Sequence, residues 1–243
     1  MEWLFGWHPV REALRARRRA LGELRIRSGA AHAEQALVLA AAAGVRTGTL
    51  VPARFDEIVP AGVSAQGVAL ECGAIPETGW EGLLTRSAPA GRCVVALDGV
   101  EDPQNVGAIA RSAEGAGATG LLMTTRRAPP LSAALSRASA GAIEHLPVAR
   151  AANLGRALEA LKAQGFWVVG ADSGSGDDLF ASPDRVWEGD LVLVMGAEGR
   201  GLRPGIAGRL DFRVRIPMAG SVESLNVAAA AALFLYEWRR RQG

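Results

Sequence analysis

A chain of 243 residues is long enough for one large or two medium domains, each able to bury a core. Hydrophobic residues make up 49% of it and charged residues 21%, a balance that excludes intrinsic disorder and points to a soluble α/β protein. The formal net charge of +2 is too small to announce a nucleic-acid partner by itself. The kind of cation says more: Lys162 is the only lysine among 27 basic residues, and arginine suits planar, bidentate contact with phosphate. Cys72 and Cys93 are lone thiols without metal-ligand spacing, as expected of a reduced, cytoplasmic setting without a disulfide framework. Arg11 to Arg19 follow the start directly, so no signal peptide is expected. The last apolar run, Val227 to Trp238, is interrupted by Glu237 and is too short to span a bilayer.

In chain order, residues 1–75 read as a small α/β unit. A basic helix over 8–19 precedes a strand over 21–27, and a second helix over 32–44 closes on Gly44. A strand, a third helix from Pro52 and a last strand ending near Ile75 complete it. Arg11, Arg15, Arg17, Arg18 and Arg19 cluster within a few turns, either as a solvated helix face or as an arm that contacts phosphate. Pro76 to Gly91 is rich in Pro, Gly, Thr and Ser and reads as a linker. From Arg92 onward strands alternate with helices, the pattern of a mostly parallel sheet covered on both faces. Strands are expected at 93–100, 120–125, within HLPVA, at 166–172, at 190–196 and within FRVRI. Helices are expected at 103–118, within LSAALSRASAGA, up to Gly165, and from Ser224 to the end.

In open α/β sheets ligands sit beyond the carboxyl ends of strands. Three such ends here carry polar groups that folding does not require. After the first strand come Asn105 and Gly107 at a helix start, with Arg111 one turn beyond Gly107. Taken singly, Asn105 could be a helix cap and Arg111 a surface cation. After Met195 comes GAEGRG, where Gly196 and Gly201 permit close backbone approach and Glu198 could be a helix-start carboxylate. The loop lacks the G-x-G-x-x-G order of dinucleotide sites, and there is no P-loop lysine. After Ile216, Pro217 and Gly220 break the chain into a loop in which Pro217, Met218 and Leu225 would wall a slot for a flat apolar group. Ser224 and Asn226 stand beside that slot, either as helix cap or as ligand-binding polar groups.

The patterns NxGxxxR (Asn105, Gly107, Arg111), GAEGxG (196–201) and IPMxGxxxSLNV (216–227) resemble, in order and spacing, the three motifs of the SpoU/TrmH family in the SPOUT class. These are S-adenosyl-L-methionine-dependent RNA ribose 2′-O-methyltransferases. The resemblance covers roughly residues 92–240, and GWHPVREAL and AQGVAL in the first unit are similar to the substrate-binding domain of the branch that methylates a guanosine of large-subunit ribosomal RNA. That branch often has His-Gln-Gly where this chain has Ala65-Gln66-Gly67. The resemblance implies an RNA substrate-binding domain over 1–75, a linker over 76–91, and a SPOUT methyltransferase domain over 92–243 with a deep trefoil knot. It implies a homodimer with composite active sites and RNA (ribosomal RNA foremost) as partner; the residues themselves lead to no expectation of a metal or a membrane. S-adenosyl-L-methionine would lie on Gly196, Gly201, Ile216, Met218 and Leu225, with Asn105, Arg111, Glu198, Ser224 and Asn226 as the catalytic set. Arg11, Arg15 and Arg18 would contact RNA.

Arginine stays protonated near neutral pH, so Arg111 suits phosphate and a developing alkoxide better than it suits the role of base. Glu198 would then orient Arg111 or relay the proton through water, Asn105 and Asn226 would position ribose and Arg111, and Ser224 would lock the loop. The competing readings are a transfer-RNA 2′-O-methyltransferase, a non-catalytic RNA-binding module on the same fold, and an ordinary nucleotide-binding α/β protein. Scattered His8, His32 and His145 and the Asp177-Asp178 pair read as structural or solvated groups, and Trp3, Trp7 and Trp80 as packing groups rather than base-stacking ones.

Overall fold

Strand-forming and helix-forming runs alternate along the chain. The elements are β1 (Glu2–Phe5), α1 (Trp7–Ala16), β2 (Leu21–Arg27), α2 (Ala33–Ala43), β3 (Arg46–Leu50), α3 (Pro52–Asp56), β4 (Val68–Cys72) and β5 (Glu77–Thr78). There follow β6 (Cys93–Asp98), α4 (Pro103–Ala116), β7 (Gly120–Thr124), α5 (Ala133–Ala138), β8 (Val148–Ala151), α6 (Leu154–Lys162) and β9 (Trp167–Ala171). The last are β10 (Asp177–Asp178), β11 (Leu191–Gly196), α7 (Pro204–Ala207), β12 (Phe212–Arg215) and α8 (Val227–Arg241). The computed structural model describes residues 1–85, 88 and 91–242. The chain divides into two units: Met1–Pro76 with Pro130–His145, and Glu77–Pro129 with Leu146–Gly243.

The first unit is a four-stranded sheet in the order β1-β4-β2-β3, antiparallel except for the β2–β3 pair. Helix α1 buries Trp7, Val10, Ala13 and Leu14, one stripe at helical spacing, and leaves its arginines outside. It stops earlier than the basic run suggests, because Arg17 turns left-handed (φ 50°) and its N–H bonds the carbonyl of Ala13. Gly44 closes α2 at φ 68° in the same way. The ring of His32 stacks on Trp7 at 4.6 Å, and His145 Nε2 lies 2.9 Å from Glu12 Oε2, so both imidazoles have structural partners.

Residues 130–145 pack with this unit, within the stretch expected as the second domain. Ala133 joins its apolar core, and a buried ion pair adds to the contact. Arg19 Nη2 meets Glu144 Oε1 at 2.7 Å with both side chains 1% exposed, and the Ser136 hydroxyl donates to the same oxygen at 2.6 Å. Glu2 also draws Ala133 N–H to its Oε2 at 3.0 Å. A buried pair of this kind adds little net stability, but losing one partner strands a charge, so it pins which segments pack together. Burial pushes the Glu144 carboxyl above its ordinary value against the pull of Arg19. Arg19 is therefore no part of a solvated arm.

The second unit is an eight-stranded sheet, order β10-β12-β9-β11-β6-β7-β8-β5, with every pairing parallel. All residues of β6 and β7 are buried, as a parallel sheet covered on both faces requires. Val94, Ala96, Leu122, Val192 and Val194 form one core with Leu154, Leu158 and Leu161 of α6. Alternation sends Val95, Leu97 and Leu193 to the opposite face, where α4 and α8 pack on the sheet and on each other. Two expectations change here. Residues 76–91 are not wholly a linker, because β5 pairs with β8 and the 3-10 turn Trp80–Leu84 sinks Leu83 into the core; positions 86, 87, 89 and 90 lie outside the described residues. Asp177-Asp178 is not a free loop, because it forms β10 along β12.

Helix α8 begins at Val227, not at Ser224, and buries Val227, Ala231, Phe234, Leu235 and Trp238 while leaving Leu233 and Tyr236 exposed. No helix among the described residues is long and apolar enough to cross a membrane. The one acid within its apolar run, Glu237, is 6% exposed and meets Arg240 at 2.8 Å and Arg241 at 2.7 Å. Those hydrogen bonds, Arg240's foremost, bring its pKa from 4.5 down to about 2. A carboxyl depressed on folding stabilises the native state above its unfolded value and stops doing so as pH falls through its folded value. Acid unfolding should therefore carry a Glu237 contribution confined to the window from 4.5 down to about 2, absent in Glu237→Gln and measurable by urea titrations across that range.

Candidate functional site

Three strand ends of the second unit build the site. Strand β6 ends at Asp98, and the chain enters α4 through Asp102, whose Oδ1 accepts from Gln104 N–H at 2.9 Å, followed by Pro103 at the first helical position. Asp102 is thus the cap. Asn105 sits within the first turn with its amide free for other work, contrary to the simpler expectation.

Strand β11 ends at Gly196. The chain folds back as a tight turn, with Gly201 N–H bonding the Ala197 carbonyl at 2.8 Å and Gly199 and Gly201 at φ 73° and 63°. A side chain at Gly196 would drive its Cβ into the Gly201 carbonyl, so the glycine is required by the loop's own return. No helix starts at Glu198, because α7 begins only at Pro204. The return is anchored from below. Asp98, 1% exposed, accepts Arg203 N–H at 2.9 Å and Arg203 Nε at 2.6 Å. Sequence reasoning passed over both residues; the available signal was a carboxylate closing an otherwise apolar strand.

Strand β12 leads into residues 216–226, which run to α8. The backbones of 217–225 make no hydrogen bond among the described residues. Ile216 and Met218 are half-buried, Ser224 is exposed outside the helix, and the apolar side chains of Val222 and Leu225 are 63% and 38% exposed. Apolar side chains beside unspent backbone donors and acceptors suit a flat heteroaromatic group with a hydrogen-bonding edge.

Asn226 joins the three segments. Its Oδ1 accepts from Ala228 N–H at 2.9 Å and Ala229 N–H at 3.3 Å, capping α8. Its Nδ2 donates to Asn105 Oδ1 at 2.9 Å and to Glu198 Oε1 at 2.5 Å. Asn105, Glu198 and Asn226 are therefore one connected group at the surface. Arg111 is not tied into it: the side chain is exposed on α4 with no hydrogen bond or ion pair among the described residues, about 9 Å along the helix from Asn105. In the first unit, Arg11 and Arg15 share the Glu12 carboxylate at 2.5 and 3.4 Å, and Arg18 donates to the Glu144 carbonyl at 3.3 Å.

Residues 92–236 match the SpoU rRNA Methylase family, and residues 3–77 match a domain described as RNA 2'-O ribose methyltransferase substrate binding. The chain belongs to the SpoU family. Among relatives, the TrmH family protein YacO of Bacillus subtilis (strain 168) is 45% identical over 148 residues, 60% of this chain and 57% of that protein. A TrmH family protein of Staphylococcus aureus (strain COL) is 41% identical over 164 residues, 67% of this chain and 61% of that one. The chain thus spans less than two thirds of the length of these relatives. Among solved structures, the SpoU methyltransferase AviRb from Streptomyces viridochromogenes, in complex with AdoMet, aligns with TM-score 0.80 and 26% identity over 98% of this chain and 89% of that one. An AdoMet-bound rRNA methyltransferase from Sinorhizobium meliloti aligns with TM-score 0.78 and 28% identity over 98% and 86%.

The two ends of the Asn226 side chain can be tested apart in this SpoU chain. Asn226→Ser keeps an acceptor for the α8 N–H groups and loses the reach to Asn105 and Glu198, whereas Asn226→Ala loses both. Urea denaturation should place the serine variant near wild type and the alanine variant about 1 kcal/mol lower. Amide exchange across Ala197–Gly201 should quicken in both, and a serine variant with wild-type exchange there would mean that Asn226 does not hold the turn.

Proposed function

We propose that this chain is an S-adenosyl-L-methionine-dependent RNA ribose 2′-O-methyltransferase whose target is a guanosine of large-subunit ribosomal RNA. The observation that carries the reading is the Asn226 side chain, which ties the motif residues Asn105 and Glu198 to the start of α8. Family membership and the matched substrate-binding segment over 3–77 support an RNA substrate. Two structural neighbours bound to AdoMet support the methyl donor. The guanosine of ribosomal RNA rests on motif resemblance alone, and the relatives' own names cover both tRNA and rRNA. The same resemblance carries the trefoil knot at the C-terminal end and the homodimer.

The donor supplies an electrophilic methyl group on a sulfonium: the ribose 2′-oxygen forms the new C–O bond while the C–S electron pair stays on sulfur. The free backbone groups of 217–225, with Gly196, Gly201, Ile216, Met218 and Leu225, would hold its adenine. The chain must orient the hydroxyl and accept its proton. Asn226 Nδ2 occupies one oxygen of Glu198, which leaves the other to orient the 2′-hydroxyl or take its proton through water. Asn105 fixes the amide of Asn226 from the other side and can bond the ribose. Ser224, exposed two residues before the cap, would lock the loop over the donor. Arg111, a permanently charged guanidinium with no ion pair among the described residues, grips the RNA phosphate and stabilises the alkoxide as it develops. A second subunit would bring its cation to the cleft. Arg15, only half shielded by Glu12, and Arg18 would add phosphate contacts from the first unit, with Arg11 more fully engaged by its neighbours.

Tritiated methyl transfer into total ribosomal RNA and into transfer RNA, followed by mapping of the modified nucleotide, tests the reading. Arg111→Ala should abolish transfer while donor affinity by calorimetry stays within about twofold of wild type, since a twofold change is below about 0.5 kcal/mol. Equal loss of donor binding would assign Arg111 a structural role instead. Glu198→Gln should lower the rate and flatten its rise with pH, and an unchanged profile would remove Glu198 as the base.

A further inference from the structure

Beyond the Asn226 group, the second unit has a cavity of about 520 Å³ at the carboxyl ends of β6, β7 and β8. Arg126, Arg127, Arg203 and Arg209 line it, and no aspartate or glutamate does. The N-terminus of α6 opens into it through Leu154 and Gly155, while Asn153 spends its side chain on Arg156 N–H at 3.1 Å. The N–H groups of Leu154 and Gly155 have no backbone acceptor among the described residues.

The four cations are not equivalent. Arg203 is held by buried Asp98, which fixes its position and offsets its charge. Arg209 Nε stands 3.4 Å from Glu159 Oε1, and its Nη1 donates to the Gly205 carbonyl. Arg126 and Arg127 are exposed and carry no ion pair among the described residues. Their backbone is defined: the Thr124 hydroxyl bonds the Arg126 carbonyl, and Arg127 adopts a left-handed φ of 58°, uncommon for a non-glycine residue. Gly155 makes room for Arg209: a Cβ there would fall 2.9 Å from Arg209 Nε.

We infer that this cavity binds a phosphodiester of the RNA strand, close to the nucleotide whose ribose is methylated, and that Arg126 and Arg127 are contacts that position the backbone there. The inference rests on the RNA reading above. Convergent guanidinium groups with free helix N–H groups form an anion site, and arginine offers phosphate two parallel hydrogen bonds. The lining has no aromatic side chain on which a base could stack, which favours a backbone phosphate over a free nucleotide. The cavity also shares structure with the candidate active site. Asp98 anchors Arg203 in the same loop that carries Glu198, and Gly99 on the cavity wall lies in the turn that leads to Asn105.

The test is filter binding of ribosomal RNA, and of a mixed-sequence oligoribonucleotide, across a salt titration with the full chain. Arg126→Gln/Arg127→Gln should weaken RNA binding and lower the slope of log affinity against log salt by about 0.7–0.9 for each phosphate that is no longer neutralised. Donor affinity should stay unchanged. Gly155→Ala, which displaces only Arg209, should lower the slope less. A double variant with wild-type affinity and slope overturns the proposal, as does wild-type protein that binds no RNA. Saturable binding of inorganic phosphate that the double variant loses, with RNA binding untouched, identifies a free anion as occupant and also overturns it. Binding is read without turnover, so a wild-type chain that binds RNA with the expected slope change in the variant but transfers no methyl group supports the cavity and sinks only the enzymatic reading.

Discussion

One carboxamide holds the candidate site together. The oxygen of Asn226 is committed to the first N–H groups of α8, which fixes its plane, and only then can its nitrogen reach both Asn105 and Glu198. Helix formation and site assembly are thereby one event. Aspartate would cap as well but offer no donor, and serine would cap without the reach. Asparagine alone combines a short acceptor with a donor on the far side of the same planar group.

The support under this group is electrostatic. Strands β6 and β11 lie side by side in register, Asp98 opposite Gly196, so the turn after β11 begins beside the carboxylate that closes β6. Asp98 holds Arg203 by main chain and side chain, and the absent side chain at Gly196 lets the turn come back over its own strand. Glu198 is thus presented by a turn fixed at both ends. A polar group displayed by such a scaffold loses little freedom when it engages a substrate, which is how a surface site can be orderly without being buried.

The sheet of the second unit could be read in the sequence because strands covered on both faces show as unbroken apolar runs, as CVVALD and LVLVMG do. The three polar strand ends were legible too, by contrast with those runs. The rest turned on contacts distant in sequence. Nothing near residue 144 indicates that Glu144 will be buried against Arg19, 125 positions earlier, yet that pair adds to the contact of residues 130–145 with the first unit. Strand β1 is too short to show periodicity and exists because β4 pairs with it. Asn105 could pass for a cap until Asp102, just ahead of Pro103, took that role. Asp98 and Arg203, 105 positions apart, offered only a misplaced carboxylate as a clue.

The arginines show why net charge was a poor guide. In the first unit several arginines in and after α1 are spent: Arg11 and Arg15 on Glu12, and Arg19 on Glu144 and Glu2. In the second unit Arg92 is spent on Asp190, and Arg241 on Glu237 and Asp184. Arg111, Arg126 and Arg127 are among the arginines with no ion pair among the described residues; Arg111 lies within α4, and Arg126 and Arg127 directly follow β7. A formal charge of +2 is the residue of many internal cancellations, and what a polyanion meets is the local field of the cations left over. Arg126 and Arg127 stand just past the end of β7, where a parallel sheet exposes its ligand-binding edge, so their charge and the proposed chemistry occupy the same end of one sheet.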